Sequence, residues 1–364
     1  MHGPARGSVR LIAPVSEPSQ ATAAERAAMT RAIELATTAG VARSPNPRVG
    51  CVLLAPSGAT VAQGFHRGAG TAHAEAAALE AAGGAARGTT AVVTLEPCNH
   101  TGRTGPCAQA LIDAGVARVV YAQADPNPLA AGGAERLMAA GIDVVAGLLA
   151  DEAEQVNEAW TFAVTHSRPM VTWKVASSLD GRIAAADGSS RWITGEAARA
   201  EVHGLRAKVD AVLIGTGTAL ADDPSLTVRD AQGNTTGRQP IRVVMGRSEI
   251  PADAALRDGR APLRVFPDES PARVLESLAD DDVQHVLLEG GPTLAAAFLA
   301  DGLVDRVIWY VAPMLLGAGP AAVGDLGIRG IGSAMLLEIT GMARVGQDVR
   351  LDGRMAPTEP ERGV

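Results

Sequence analysis

Apolar segments of strand character alternate with helical segments twice along this chain, and the two series meet at Arg168-Pro169. In the first series, residues 24–39 read as a helix and SPNPRVG breaks it, because each proline disfavours helix in the residue before it. Residues 49–55 and 60–66 read as a hairpin around Pro56-Ser57-Gly58. Residues 73–82, 106–114, 134–140 and 151–166 follow as helices, with strands at 90–95, 118–124 and 142–146. In the second series the strands are 170–177, 211–215, 241–245, 263–266, 285–289 and 306–312, with helices at 195–206, 271–278 and 292–300. Two more strands fall within 335–351. Such alternation specifies an α/β protein with a largely parallel core. A length of 364 residues suits two domains. The expected division is a tail over 1–24, a first domain over 25–166, a second over 167–352 and a tail over 353–364.

Charge and composition narrow the function. With 32 Lys+Arg against 40 Asp+Glu, the net charge of −8 opposes a nucleic-acid partner, which needs a basic footprint. Only 4 Trp, 2 Tyr and 4 Phe are present, too few for a base-stacking platform. No apolar run approaches the ~18 residues of a membrane helix, and the early stretch LIAPV is too short for a signal peptide. Three cysteines, an odd number, fit a reduced cytoplasmic protein or a metal site better than a disulfide framework.

The chemistry-bearing residues of the first half are His73-Ala74-Glu75, Pro97-Cys98 and Cys107. One imidazole and two thiolates give Zn²⁺ three protein ligands and leave a position for water. Zinc brings the pKa of that water toward ~7, so hydroxide exists at neutral pH. Glu75 is better suited to shuttling protons beside the metal than to ligating it. Zinc deaminases carry His-x-Glu followed by Pro-Cys-x-x-Cys. Here eight residues, not two, separate the cysteines. The plain alternative is that the cysteines are small core residues and that His73 caps or packs on a helix. Cys51, inside a strand, reads as core.

The second half lacks a dinucleotide fingerprint. Residues 215–220 (GTGTAL) approach G-x-G-x-x-G but miss the third glycine, and a turn after a buried strand explains them as well. Glu289-Gly290-Gly291-Pro292-Thr293 follows the strand HVLLE and opens a helix, where backbone N–H groups can bind phosphate. An ordinary strand–helix turn is the competing reading. Lys174 lies on an otherwise apolar strand, which is costly unless it has a partner or a task. A catalytic task is one reading of Lys174, a simple pairing with an acidic neighbour the other.

At this point the chain resembles a known family. SPNPRVGCV, GFHRGAGTAHAE, TLEPCNHTGRTGPC and GVARVVYAQADPNPLAAGGA are similar to the deaminase domain of the bifunctional deaminase/reductases of riboflavin biosynthesis, the RibD family. Eight residues between the cysteines is that family's usual spacing. WKVASSLDGRIAAADGSSRWITG, VDAVLIGTGTALADDPSLTVR and EGGPTLAAAFLADGLVDRVIWYVAPMLLG resemble its reductase domain. The resemblance runs from about residue 24 to about residue 351. It implies a cytidine-deaminase-like α/β/α domain followed by a dihydrofolate-reductase-like α/β domain that uses NADPH.

The resemblance also implies roles. Asn46, His66, His100 and Arg103 would contact the substrate's pyrimidine or phosphoribosyl part. Ala176, Trp192, Thr218, Asp222, Gly291, Pro292, Thr293, Leu294, Ala295, Ala296 and Ala297 would line the NADPH site. Ser190, Arg206, Leu226, Arg229 and Glu289 would line the reductase substrate site, the two arginines suiting a phosphate. A homo-oligomer formed through the reductase domain is implied too. The chain departs from the family at Ser44, where His is common, at Gly105, where Pro is frequent, and at Gly246-Arg247, where many relatives have Asp-Ser.

The expected activity is hydrolytic deamination of a diaminopyrimidinone ribosylamine phosphate, then NADPH reduction of its ribosyl group to ribityl. A related enzyme acting on another pyrimidine in secondary metabolism is one alternative. A free nucleoside deaminase with an unrelated C-terminal domain is another, and a non-catalytic zinc protein a third, although no fourth cysteine closes the site.

Overall fold

A computed structural model describes residues 16–38, 44–100, 105–230 and 232–356. The chain forms two compact units that divide between Thr165 and His166.

The first unit runs α1 (Ala23–Ala36), β1 (Gly50–Leu54), β2 (Thr60–Phe65), α2 (Ala74–Ala82), β3 (Thr90–Leu95), α3 (Cys107–Asp113), β4 (Arg118–Gln123), α4 (Gly133–Ala139), β5 (Asp143–Ala146) and α5 (Ala150–His166). Its sheet has the order β2-β1-β3-β4-β5. β1 is antiparallel to both neighbours, whereas β3, β4 and β5 are parallel. The strands are apolar on both faces, which is why they read as continuous runs. Cys51, Leu53, Val93, Leu95, Val119 and Tyr121 pack on the side of α2, α3 and α4. Val52, Leu54, Val92, Val120 and Ala122 pack on the side of α1. α1 opens with a capping box in which Thr22 and Glu25 satisfy each other's backbone N–H groups. The expected tail is shorter than its sequence suggests. Ser16 pairs with Val145 at the sheet edge, and Pro18–Gln20 form a 3-10 turn before α1.

The second unit continues with β6 (Met170–Ser178), α6 (Glu196–Arg206), β7 (Ala211–Gly215), α7 (Thr216–Asp222), β8 (Ile241–Met245), β9 (Leu263–Phe266), α8 (Pro271–Asp280), β10 (His285–Leu288), α9 (Pro292–Ala300), β11 (Arg306–Ala312), β12 (Leu337–Val345) and β13 (Asp348–Met355). The sheet order is β12-β13-β11-β6-β10-β7-β8-β9. The six strands from β11 to β9 are parallel, and the β12–β13 hairpin is added antiparallel at the β11 edge. α8 and α9 cover one face through Val274, Leu275, Leu278, Phe298 and Leu299. α6 and α7 lie on the other through Ala198 and Ala219. Residues 353–355, expected in the tail, complete β13. α7 was not expected, because GTGTALAD carries no apolar period.

Alternation along β6 decides where the chemistry goes. Val171, Trp173 and Val175 enter the core under α8 and α9. Lys174 and Ala176 therefore face the α6 side. Both units present their parallel strands' C-terminal edges, the usual place for a ligand in an open α/β sheet.

Candidate functional site

In the first unit, α2 begins directly after His73, which serves as its N-cap residue, and Glu75 lies in its first turn. The helix can come this close to the sheet because Gly64 has no side chain. A Cβ there would stand 2.5 Å from both Ala74 O and Ala78 N. Cys98 follows β3, and Cys107 is the first residue of α3. The turn from β3 into Cys98 is tied to the segments after β4 and at the start of α4 by a carboxylate that sequence reasoning missed. Buried Glu96 accepts from Ala134 N at 2.9 Å through Oε1 and from Asp125 N at 3.3 Å through Oε2. Arg136 Nη1 donates to Asn99 Oδ1 at 2.9 Å. Gly133 allows this approach, since a Cβ there would lie 1.7 Å from Pro97 O. The available signal was an acidic residue set between an apolar strand and Pro-Cys.

His73, Cys98 and Cys107 place their ligand atoms within 4.8 Å of one another, the one such group of three among the described residues. Tetrahedral zinc, about 2.3 Å from sulfur and about 2.1 Å from nitrogen, spaces its ligands about 3.5–3.8 Å apart. His73 Nδ1 lies 3.7 Å from Cys98 Sγ and 3.3 Å from Cys107 Sγ, so the donor set is spaced within a few tenths of an ångström of what zinc takes on these two edges. The Cys107 thiol holds the Cys98 pKa well below the ordinary thiol value, and the shared bond pushes Cys107 up. Glu75 is 4% exposed, and burial pushes its carboxyl up to about 7.

His66 and Asn46 are brought together beside this group. The His66 ring stands edge-on to His73, with centroids 5.4 Å apart. His66 Nδ1 donates to Ala72 O at 3.0 Å, so its Nε2 accepts from Asn46 Nδ2, also at 3.0 Å. Burial lowers the His66 pKa, in keeping with that neutral tautomer. The Asn46 amide nitrogen is thereby committed to His66. His100 is exposed at the end of the same loop, and Arg103 lies outside the described residues.

In the second unit, Glu289 directly follows β10 and receives two cations. Arg206 approaches side-on, with Nε at 2.6 Å and Nη2 at 3.0 Å from the two carboxylate oxygens. Lys174 Nζ lies 3.2 Å from Oε2. Burial acts to raise the Glu289 pKa, and Arg206 followed by Lys174 overcomes it and holds the carboxyl down at about 2. Lys174 does have the acidic partner that its alternative reading named. The trio nonetheless keeps one uncompensated positive charge.

The predicted cofactor residues separate into two groups. Gly291 opens α9, and a Cβ there would lie 3.6 Å from Thr218 Oγ1, so the starts of α7 and α9 adjoin. Arg191 Nη2 donates to Asp222 O at 2.6 Å, which brings the Trp192 loop to the end of α7. Trp192 is 66% exposed, with the Arg199 guanidinium 4.4 Å over its ring, so it is not a core aromatic. By contrast, Ala295 is 0% and Ala296 8% exposed. The helix period turns them into the core, and Gly291, Pro292, Thr293, Leu294 and Ala297 keep accessible surface. Leu226 is likewise buried, at φ +50°, and can offer a ligand only its backbone. Ser190, Arg229 and Ala176 are half-buried. Arg247 is exposed and paired with Asp268.

Comparison with known proteins adds to this geometry. Residues 22–123 match the cytidine and deoxycytidylate deaminase zinc-binding region, and residues 169–351 match the RibD C-terminal domain. The second match overturns the reading in which the C-terminal domain is unrelated to the deaminase. The chain is 49% identical over 309 residues to riboflavin biosynthesis protein RibD of Mycobacterium tuberculosis, covering 84% of this chain and 90% of that one. It is 40% identical over 357 residues to the Escherichia coli RibD, covering 89% and 97%. The structure of Acinetobacter baumannii RibD superposes with a TM-score of 0.83 at 39% identity, covering 92% of this chain and 99% of that one. A Thermotoga maritima structure described as a diaminohydroxyphosphoribosylaminopyrimidine deaminase/5-amino-6-(5-phosphoribosylamino)uracil reductase gives 0.83 at 33% identity, with the same coverage.

Proposed function

The chain belongs to the RibD family of bifunctional riboflavin-biosynthesis deaminase/reductases, and on that premise we propose that it deaminates diaminohydroxyphosphoribosylaminopyrimidine and then reduces 5-amino-6-(5-phosphoribosylamino)uracil with NADPH. The observation that carries this reading is the His73, Cys98 and Cys107 donor set with buried Glu75 beside it, on one chain with a reductase domain. Deamination is assigned to residues 25–166 and reduction to 167–352.

His73, Cys98 and Cys107 would hold zinc, which when bound would acidify a water at neutral pH. Glu75 takes a proton from the attacking water and returns one to the departing amine, so that ammonia leaves and the ring carbon gains a carbonyl. Asn46, fixed by His66, orients the pyrimidine edge. His100 and Arg103 are assigned to the phosphoribosyl part.

NADPH, when bound, would supply a hydride for the ribosyl C1′ of the ring-opened imine form. Thr218, Asp222, Trp192 and the α9 start from Gly291 to Leu294 would hold the cofactor, with Ala176 and Ala297 completing the wall. The glycines at the α9 start leave backbone N–H groups accessible to a phosphate. Lys174 stabilises charge and donates the proton that accompanies hydride. Arg206 and Arg229 take the substrate's phosphate, with Ser190, Glu289 and the Leu226 backbone completing the substrate site.

The test is NADPH oxidation on the deaminated substrate by the wild type and by Lys174→Met. Turnover should fall much more than NADPH affinity. An unchanged turnover number would remove Lys174 from the mechanism, and no oxidation by the wild type would refute the reductase assignment.

A second copy of the chain fits the exposed edge hairpin. Leu337, Ile339 and Met342 of β12 and Val349 of β13 share one face in the hairpin register and are 38% to 75% exposed. The three free, buried cysteines suit a reducing cytoplasm. Among the described residues no helix is long and apolar enough to cross a membrane.

A further inference from the structure

α6 carries a polar stripe that the sequence reading used only in part. Arg199, His203 and Arg206 recur at helical spacing on one face. Arg199 covers Trp192, and Arg206 binds Glu289. His203, between them, reaches a different segment: its Nδ1 lies 3.1 Å from Thr227 O. A carbonyl only accepts, so Nδ1 carries the proton. Burial, and then the neighbouring Arg206 charge, lowers the imidazole pKa, which favours the neutral ring at pH 7.

The segment that His203 holds leads into Arg229. Thr227 is 1% exposed, and its hydroxyl accepts from Arg229 Nε at 3.0 Å. Val228 N donates to Gln239 Oε1 at 2.7 Å. Gln239 therefore ties the segment to the stretch just before β8, and His203 ties it to α6. Arg229 Nε is thereby committed to the Thr227 hydroxyl, and Arg229 as well as Arg206 acts on the His203 ring by its charge.

We propose that His203 is a positioning residue of the reductase site, whose Nδ1–H bond to the Thr227 carbonyl fixes residues 226–229 against α6 so that Arg229 and Arg206 converge on the substrate's phosphate. This rests on the reading above that the two arginines take that phosphate. His203 itself acts through Arg229 and needs no contact with the reacting atoms.

The experiment uses the full chain, the deaminated substrate and its dephosphorylated form. NADPH binding and the melting transition of the reductase unit in the same preparation report that each variant is intact. His203→Ala should raise KM for the phosphorylated substrate roughly tenfold, the cost of leaving a buried carbonyl unpaired. It should leave kcat within a few-fold and barely affect the dephosphorylated substrate. Asparagine places its amide nitrogen near Nδ1, whereas glutamine places it near Nε2. His203→Asn should therefore restore most of the affinity and His203→Gln should not. Equal penalties on both substrates, or better rescue by Gln than by Asn, would overturn the proposal. If His203→Ala does not fold, the contrast between Asn and Gln decides alone. Arg229→Ala separates the two levels. A loss confined to the phosphorylated substrate there, without one in the His203 variants, sinks the positioning role only. No phosphate-specific loss in Arg229→Ala sinks the phosphate reading beneath it.

Discussion

Replacing Glu289 by glutamine keeps the side-chain shape and removes the one negative charge between Arg206 and Lys174. Gln accepts through a single oxygen and turns an NH₂ toward one of the two cations. Arg206 and Lys174 are then left largely buried, at 14% and 16% side-chain exposure, without a counter-charge. Removing one partner of a buried pair costs about 3–5 kcal/mol. The pKa gives a consistent figure. A fall from the ordinary 4.5 to about 2, at about 1.4 kcal/mol per tenfold, corresponds to about 3 kcal/mol. For a domain of this size that lowers the melting temperature by about 6–12 °C. Scanning calorimetry at neutral pH, with residual reductase activity to identify the transition, measures it. The sign with pH follows from the depressed pKa. Glu289 stabilises the fold fully above its unfolded value, and the contribution is lost as pH falls from 4.5 through about 2. Wild type and Glu289→Gln should thus differ most near neutrality and converge in acid, where protonated Glu is the neutral isostere of Gln. A difference under about 2 °C at neutral pH, or one that persists unchanged in acid, would refute the argument.

Cys98→Ser should lose most of its zinc by metal analysis of the purified chain, and wild-type stoichiometry would remove Cys98 from the ligand set. Glu75→Gln should keep zinc and reductase turnover while ammonia release falls by ~10²–10⁴-fold, the usual worth of a positioned acid/base. Deamination within a few-fold of wild type would take that role from Glu75.

The parts legible in the sequence are those set by local physics. β3, β7, β8, β9 and β11 have the bounds expected, because each is an apolar run closed by turn residues. The grouping of His73, Cys98 and Cys107 was legible because imidazole and thiolate leave few other uses for that order of residues. What escaped depends on contacts remote in sequence. Ser16 and Pro18 look like tail until β5 supplies a pairing edge. Lys174 could be seen to need a partner, yet only the parallel pairing of β6 with β10 puts Glu289 beside it. Ala295 and Ala296 fall inside a matching motif, but the rotation of α9 sends them into the core. His203 was passed over because its role lies in a bond to a backbone carbonyl, which no residue type announces.

The central claim is that one chain performs both reactions in order on one pyrimidine. Mass spectrometry of products from the diamino substrate, with and without NADPH, tests it most directly. Without NADPH the product should differ from the substrate only by exchange of an amino group for oxygen. With NADPH it should also carry a hydride and a proton on the sugar chain. A product that keeps both amino groups, or one that is deaminated yet never reduced when NADPH is present, would contradict the account.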